Sequence, residues 1–182
     1  YKEEIKELLN DVRAILLNYK IELKDDEFFK DAPKDEDKYG WLGYAGKMIN
    51  KLRNSFYKAS DDKGLERIWD KLDNIAVEMS EFSIKRLKRF VKDNKKEFKK
   101  AGEYGNVSQS IKEWRSELEN HAFSKAVYSV ISISMKIERC LESLETSERE
   151  EIMLEMGHLN QYYIYRRHFY ETYRLSGFLS GG

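Results

Sequence analysis

Residues 111–144, IKEWRSELENHAFSKAVYSVISISMKIERCLESL, decide how the chain is read. Ile111, Trp114, Leu118, Ala122, Ala126, Val130, Ile133, Ile137, Cys140 and Leu144 recur at three and four, which lines one side of a helix through about ten turns. The same period extends outward in both directions. Upstream, Leu65, Ile68, Trp69, Leu72, Ile75, Ala76, Met79 and Phe82 keep it, and Leu87, Phe90, Val91 and Phe98 continue it with a shift of about one position. That shift predicts a kink or short break at residues 80–83, and Gly102, Gly105 and Asn106 supply the next stop. Downstream, Ser147 with Glu150 has the form of a capping box, opening a last helix lined by Ile152, Met156, Leu159, Tyr163, Tyr170 and Tyr173 and ending at Gly177.

Further toward the N-terminus, Ile5, Leu8, Leu9, Val12, Ile15, Leu16, Tyr19 and Leu23 predict a helix over residues 2–23. Residues 24–39 hold Asp25, Asp26, Glu27, Asp31, Asp35, Glu36 and Asp37 with the single proline, Pro33, and read as a flexible acidic loop. Trp41, Tyr44, Ala45, Met48, Ile49, Leu52 and Phe56 define another helix, stopped at Ser60, Asp61 and Asp62, which can cap the one that follows. The expectation is an all-α single domain over residues 1–182, a bundle of five or six mostly antiparallel helices with a tail from residue 177. No repeat of fixed period points to a solenoid.

Composition agrees with this. Ten glycines and one proline in 182 residues are too few turn formers for a sandwich or barrel, and 41% hydrophobic residues suffice for a core. Thirty-three Lys plus Arg against 33 Asp plus Glu leave no net charge, although 36% of the residues are charged. A global pull toward nucleic acid or an anionic membrane is therefore absent, and only local patches can steer a partner. The lone Cys140 can form neither an internal disulfide nor a structural zinc site, and reads as a small residue at a core seam. No apolar run reaches the ~20 residues of a membrane span, and no signal peptide is visible. Because the chain opens at Tyr1 and not at methionine, an upstream segment is expected to have been removed.

Catalytic constellations are sparse. Of three histidines, His121, His158 and His168, only His158 sits in a Glu-x-x-His pair, with Glu155; a carboxylate-bridged metal site needs that pair twice, so Glu155 and His158 read as a solvated surface pair. Neither a metal nor a cofactor site is expected. Arg115 and His121 resemble the Arg-x(4 to 6)-His signature of helical HEPN ribonucleases, but six positions along a helix turn a side chain by about 240°, so the two do not share a face. Phosphate loops, nucleophile elbows and dinucleotide fingerprints are missing.

Two charged regions remain. Lys85, Arg86, Lys88, Arg89, Lys92, Lys95, Lys96, Lys99 and Lys100 form a basic run broken only by Asp93 and Glu97, able to meet phosphates, lipid head groups or an acidic protein. In the last helix Tyr162, Tyr163, Tyr165, Phe169, Tyr170 and Tyr173 interleave with Arg166, Arg167, His168 and Arg174. Tyrosine and arginine are enriched in interface hot spots. Tyr163, Tyr170 and Tyr173 share the apolar face and are expected in the core, leaving Tyr162, Tyr165, Arg166 and Phe169 for a partner. Lys85, Arg86, Lys88, Arg89, Lys92, Tyr162, Tyr165, Arg166 and Phe169 are thus the candidate binding residues.

The stretches YGWLGYAGKMINKLRNSF (residues 39–56) and DDKGLERIWDKLDNIAVEMSEFSIKRLKRF (residues 61–90) resemble the helical borrelial surface lipoproteins of the Erp/Elp (OspEF-related) group. The shared features are the Trp-Leu-x-Tyr-Ala opening at Trp41, Lys-Gly-Leu-Glu at Lys63 and Glu-Phe-Ser at Glu81, over about a third of the chain. The resemblance implies a module on the bacterial outer surface, tethered by a lipid anchor upstream of Tyr1, that binds a host serum protein. In that group some members block the first serine proteases of complement, so a complement protease is the implied partner. A non-enzymatic monomer that does not bind nucleic acid is expected. The alternative is a membrane-remodelling module: residues 155–173 resemble the last helix of sorting-nexin BAR domains, though the break expected near Ser80 leaves too little helix for a curved dimer; a second alternative is an HEPN-like ribonuclease using Arg115 and His121.

Overall fold

The computed structural model describes residues 1–34, 36–59, 62–140 and 146–181, and the side chains of these residues other than 59, 62, 146 and 172–181. Among the described residues there is no strand, and the chain forms a helical bundle: α1 (Lys2–Asn18), α2 (Asp25–Phe28), α3 (Lys38–Lys51), α4 (Arg53–Ala59), α5 (Asp62–Asp93), α6 (Lys95–Lys100), α7 (Tyr104–Glu119), α8 (Phe123–Arg139) and α9 (Thr146–Gly181). The buried apolar residues form one core. α9 runs through the middle, packing on α3, α4, α5 and α8, while α1 closes over α3 and α5, and α7 sits between α5 and α8.

The helices are more numerous than the five or six expected, because the chain reverses where periodicity runs on. The long helix over residues 111–144 is two helices. α7 stops at Glu119, and His121 takes a left-handed backbone with φ 51°, its N–H reaching Leu118 O (3.1 Å) while the Ala122 N–H reaches Glu117 O (2.8 Å). This paired 5→2 and 6→1 pattern is a Schellman motif. It folds α8 back against α7, with Ser129 donating to both Glu117 carboxylate oxygens (3.0 and 2.8 Å) across the seam. The same motif closes α1 at Lys20 (φ 63°) and α6 at Gly102 (φ 73°), so α1 ends short of Leu23.

Conversely, the break expected at residues 80–83 does not exist. α5 is continuous for 32 residues, about 48 Å. Ser80 and Ser83 are buried in it, and the Ser80 hydroxyl hydrogen-bonds the Tyr163 hydroxyl, so the phase shift reflects a change of packing partner from one half of the helix to the other. The breaks fall instead at Leu52 and Asn94.

The acidic segment is anchored to the core. Arg13 donates to Leu23 O through Nε and Nη2 (3.1 and 2.9 Å), pairs with Asp25 (2.9 Å) and lies over the rings of Phe28 and Phe29. Tyr44 donates to Phe28 O, and Trp41 Nε1 to Lys34 O (3.2 Å). Asp37 then caps α3 by accepting from the Gly40 N–H (2.9 Å). Asp35, the Ser60–Asp61 stop and Leu144 lie outside the described residues, as does the side chain of Tyr173. α9 starts one residue ahead of the expected capping box and stays helical past Gly177.

Candidate functional site

The aromatic and basic residues of α9 divide between two neighbours. Tyr162 is fully buried and donates to Asp73 Oδ1 on α5 (2.6 Å), and Arg166 grips the same carboxylate through Nε and Nη2 (3.1 and 3.2 Å). The Arg166 guanidinium stacks over Trp69 (4.6 Å), and Phe169 packs against that indole (5.2 Å). An offset of one residue, about 100°, turns Tyr163 toward another side, where its hydroxyl meets Ser80 and accepts from Trp114 Nε1 (3.2 Å) while its ring stacks on Phe123 (5.6 Å). Burial raises the Tyr162 phenol pKa well above its ordinary value, and the Asp73 charge adds to the effect. Burial raises Tyr163 as well.

This corrects the expected division of labour. Tyr162 and Phe169 belong to the core, and Arg166 is spent on Asp73, so of the four α9 candidates only Tyr165 is a partly exposed group without such a tie. Tyr170 is 56% exposed although it shares the helical phase of Tyr163. The α7–α8 turn at His121 lies at that level and leaves an open cleft between Tyr170, Arg167, Asp70 and Ser124. A helix packed on several sides has no single apolar stripe, which is why spacing misassigned these residues.

The basic run also divides. Arg86 turns inward and binds Glu151 and Glu155 of α9, the latter at 2.6 Å. The Glu151 hydrogen bond raises the guanidinium pKa further, against some desolvation. Arg86 is thus a tie between helices and not part of an open basic face. Lys85, Lys88, Arg89 and Lys92 are exposed and, at 100° per residue, fall within an arc of about 100° on the outer side of α5. Lys85 lies over Phe82, whose ring is 54% exposed, and Lys95 and Lys99 lie over Tyr104. Lys88, Arg89 and Lys92 make no ion pair with any described residue.

Glu155 and His158 are not a solvated pair: Glu155 is held by Arg86, and His158 Nε2 lies 3.6 Å from Asp37 Oδ2. Among the described residues no three His, Cys, Asp or Glu side chains converge in a manner that could hold a metal ion. Arg115 and His121 are both exposed, with the end of α7 between them. Cys140 is buried at the end of α8, and burial together with Glu103 raises its thiol pKa.

Spacing within the supposed long helix concealed one further surface. Tyr128, Ile131 and Met135 stand exposed on the outer side of α8, and Ile131 and Met135 line a depression with Met153 and Ile164 of α9. Their signal was a second set of apolar residues, three and four apart, out of phase with Val130, Ile133 and Ile137. Among the described residues no helix is long and apolar enough to cross a membrane. No family model matches the chain, and neither a curated protein nor a solved structure matches it significantly.

Proposed function

We propose that this chain is a non-enzymatic protein-binding module, the outer-surface domain of a lipid-anchored helical lipoprotein of the Erp/Elp type, which captures a host serum protein and inhibits a complement serine protease. The observation that carries the binding reading is the uncompensated basic stripe of Lys85, Lys88, Arg89 and Lys92 on the outer side of α5, flanked by the exposed ring of Phe82. By contrast Arg86 is held by Glu151 and Glu155 and Arg166 by Asp73, so the stripe gathers exposed cations that no carboxylate holds on one side of a single helix. A rigid row of unpaired cations beside one aromatic suits an acidic protein surface, where charge steers encounter and the ring supplies apolar contact. Identification of the host and protease rests on the sequence resemblance.

The test is retention of complement proteases from serum on the immobilised chain, followed by cleavage assays with the purified protease. Lys88→Glu, Arg89→Glu and Lys92→Glu combined should abolish retention, and raising salt should weaken it steeply. Retention unaffected by this charge reversal overturns the assignment of the stripe. An intact α5 removes one objection to the membrane-remodelling alternative, since no break shortens the helix. Co-sedimentation with anionic vesicles but not with neutral ones, lost in the same variant, would favour that reading.

A further inference from the structure

The cleft beside Tyr170 is enclosed by three elements. Asp70 and Asp73 of α5 form one wall, the α7–α8 turn with Ser124 forms another, and Arg166, Arg167 and Tyr170 of α9 lie between them. It holds about 410 Å³, a size found among small-molecule sites. Charge within it is divided into a satisfied pair and an unsatisfied one. Asp73 is buried and filled by Tyr162 and Arg166. Arg167 and Asp70 line the same space from different helices, and neither makes an ion pair with a described residue.

Arg167 is the exception among its kind. Of the other half-buried arginines among the described residues, Arg13, Arg86 and Arg166 lie on carboxylates, Arg53 donates to Asn50 O (3.1 Å), and Arg149 is engaged as well. Arg167, equally half-buried, has neither a hydrogen bond nor an ion pair. A partly desolvated guanidinium without a counter-charge gains more from an arriving anionic group than a fully exposed cation does. Ser124 adds a hydroxyl and a backbone N–H in a first turn of α8 that no side chain caps. Tyr170 adds a ring that is 56% exposed.

We propose that this cleft binds a small zwitterion, a free α-amino acid with an aromatic side chain. Its carboxylate takes Arg167 and Ser124, its ammonium takes Asp70, and its ring lies against Tyr170. A ligand with one charge fits less well: an anion that reaches Arg167 also meets Asp70, and a cation that reaches Asp70 also meets Arg167. A zwitterion satisfies both groups at once, each through a charge-assisted hydrogen bond. The cleft is open, so part of the ligand stays in water and the affinity is on the order of millimolar. Lys85, Lys88, Arg89 and Lys92 take no part in the cleft, so the site is independent of the serum-protein reading.

NMR titration of the full chain with L-phenylalanine should shift the amides of Asp70, Ser124, Arg167 and Tyr170 along one saturable curve. Phenethylamine and hydrocinnamate keep the ring and one charge each, and should bind roughly ten-fold more weakly, since each lacks one charge-assisted hydrogen bond. Asp70→Asn and Arg167→Gln should each weaken phenylalanine binding by a similar factor with helical circular dichroism unchanged. The α5 charge-reversal variant should bind phenylalanine as wild type does, so failure of the serum-protein reading and failure of this one are separable. Absence of saturable shifts at these residues, single-charge analogues that bind as tightly as phenylalanine, or folded variants that bind as wild type would each overturn the site.

Discussion

Asp73 is 4% exposed and its carboxylate is satisfied by two donors, Tyr162 and Arg166, so each matters more than their number suggests. Asp73→Ala would leave a guanidinium partly buried without its counter-charge and a phenol without its acceptor, at a cost of about 3–5 kcal/mol in chemical denaturation. Asp73→Asn, which keeps an acceptor, should cost less. On the other side of α9, Tyr163→Phe strands the Trp114 indole N–H and the Ser80 hydroxyl in the core and should cost about 1–3 kcal/mol. These phenols also set the alkaline limit of the fold. Tyr39 is pushed up to about 12, mainly by burial, and Tyr162 and Tyr163 are raised in the same direction. Above pH 10 the unfolded chain gives up phenolic protons that the folded chain keeps, so stability present below pH 10 is lost as pH rises through the folded values. Tyrosinate absorbance should therefore appear together with loss of helical circular dichroism, and not ahead of it, for these residues.

At the scale of elements, three helix ends among the described residues close on a left-handed residue, and only one of these three is glycine. Gly102 announces the end of α6, but Lys20 and His121 close α1 and α7 without any sequence signal, and His121 sits inside an unbroken apolar period. The left-handed state costs a non-glycine residue about 1–2 kcal/mol, and glycine's greater freedom when unfolded returns about 0.5–1 of that. His121→Gly should accordingly raise stability by several tenths to about 1 kcal/mol in thermal or urea unfolding. α3 shows the opposite use of glycine. A Cβ on Gly46 would stand 3.1 Å from the Tyr162 ring and 3.5 Å from Tyr165, so its absence lets α3 lie close on α9. Gly46→Val should force the two helices apart and cost about 1–3 kcal/mol, with the added loss seen as reduced protection of α3 amides from exchange.

On the scale of the whole molecule, a net charge of zero hides an uneven distribution. Arg86 and Arg166 turn inward to carboxylates on neighbouring helices, whereas Lys85, Lys88, Arg89 and Lys92 cluster on the outer side of α5. Two different surfaces are thus left open, a row of cations on α5 and a set of exposed apolar side chains on α8 and α9. The helical class and the residues that line α1, α5 and α7 were legible in the sequence, because an apolar period of three and four is a local property of each helix. Which face of α9 meets which neighbour was not legible, since Tyr162 and Tyr163 are both buried and Tyr170 is exposed through what stands opposite them and not through their own spacing. Nor were the reversal at His121, the continuity of α5 past Ser80, or the inward turn of Arg86. Sequence alone determined that this chain must fold as amphipathic helices around one core, because burying those stripes is the dominant gain. The tertiary structure decided which charges remain free and which apolar residues stay uncovered, because both depend on contacts between residues far apart in the chain.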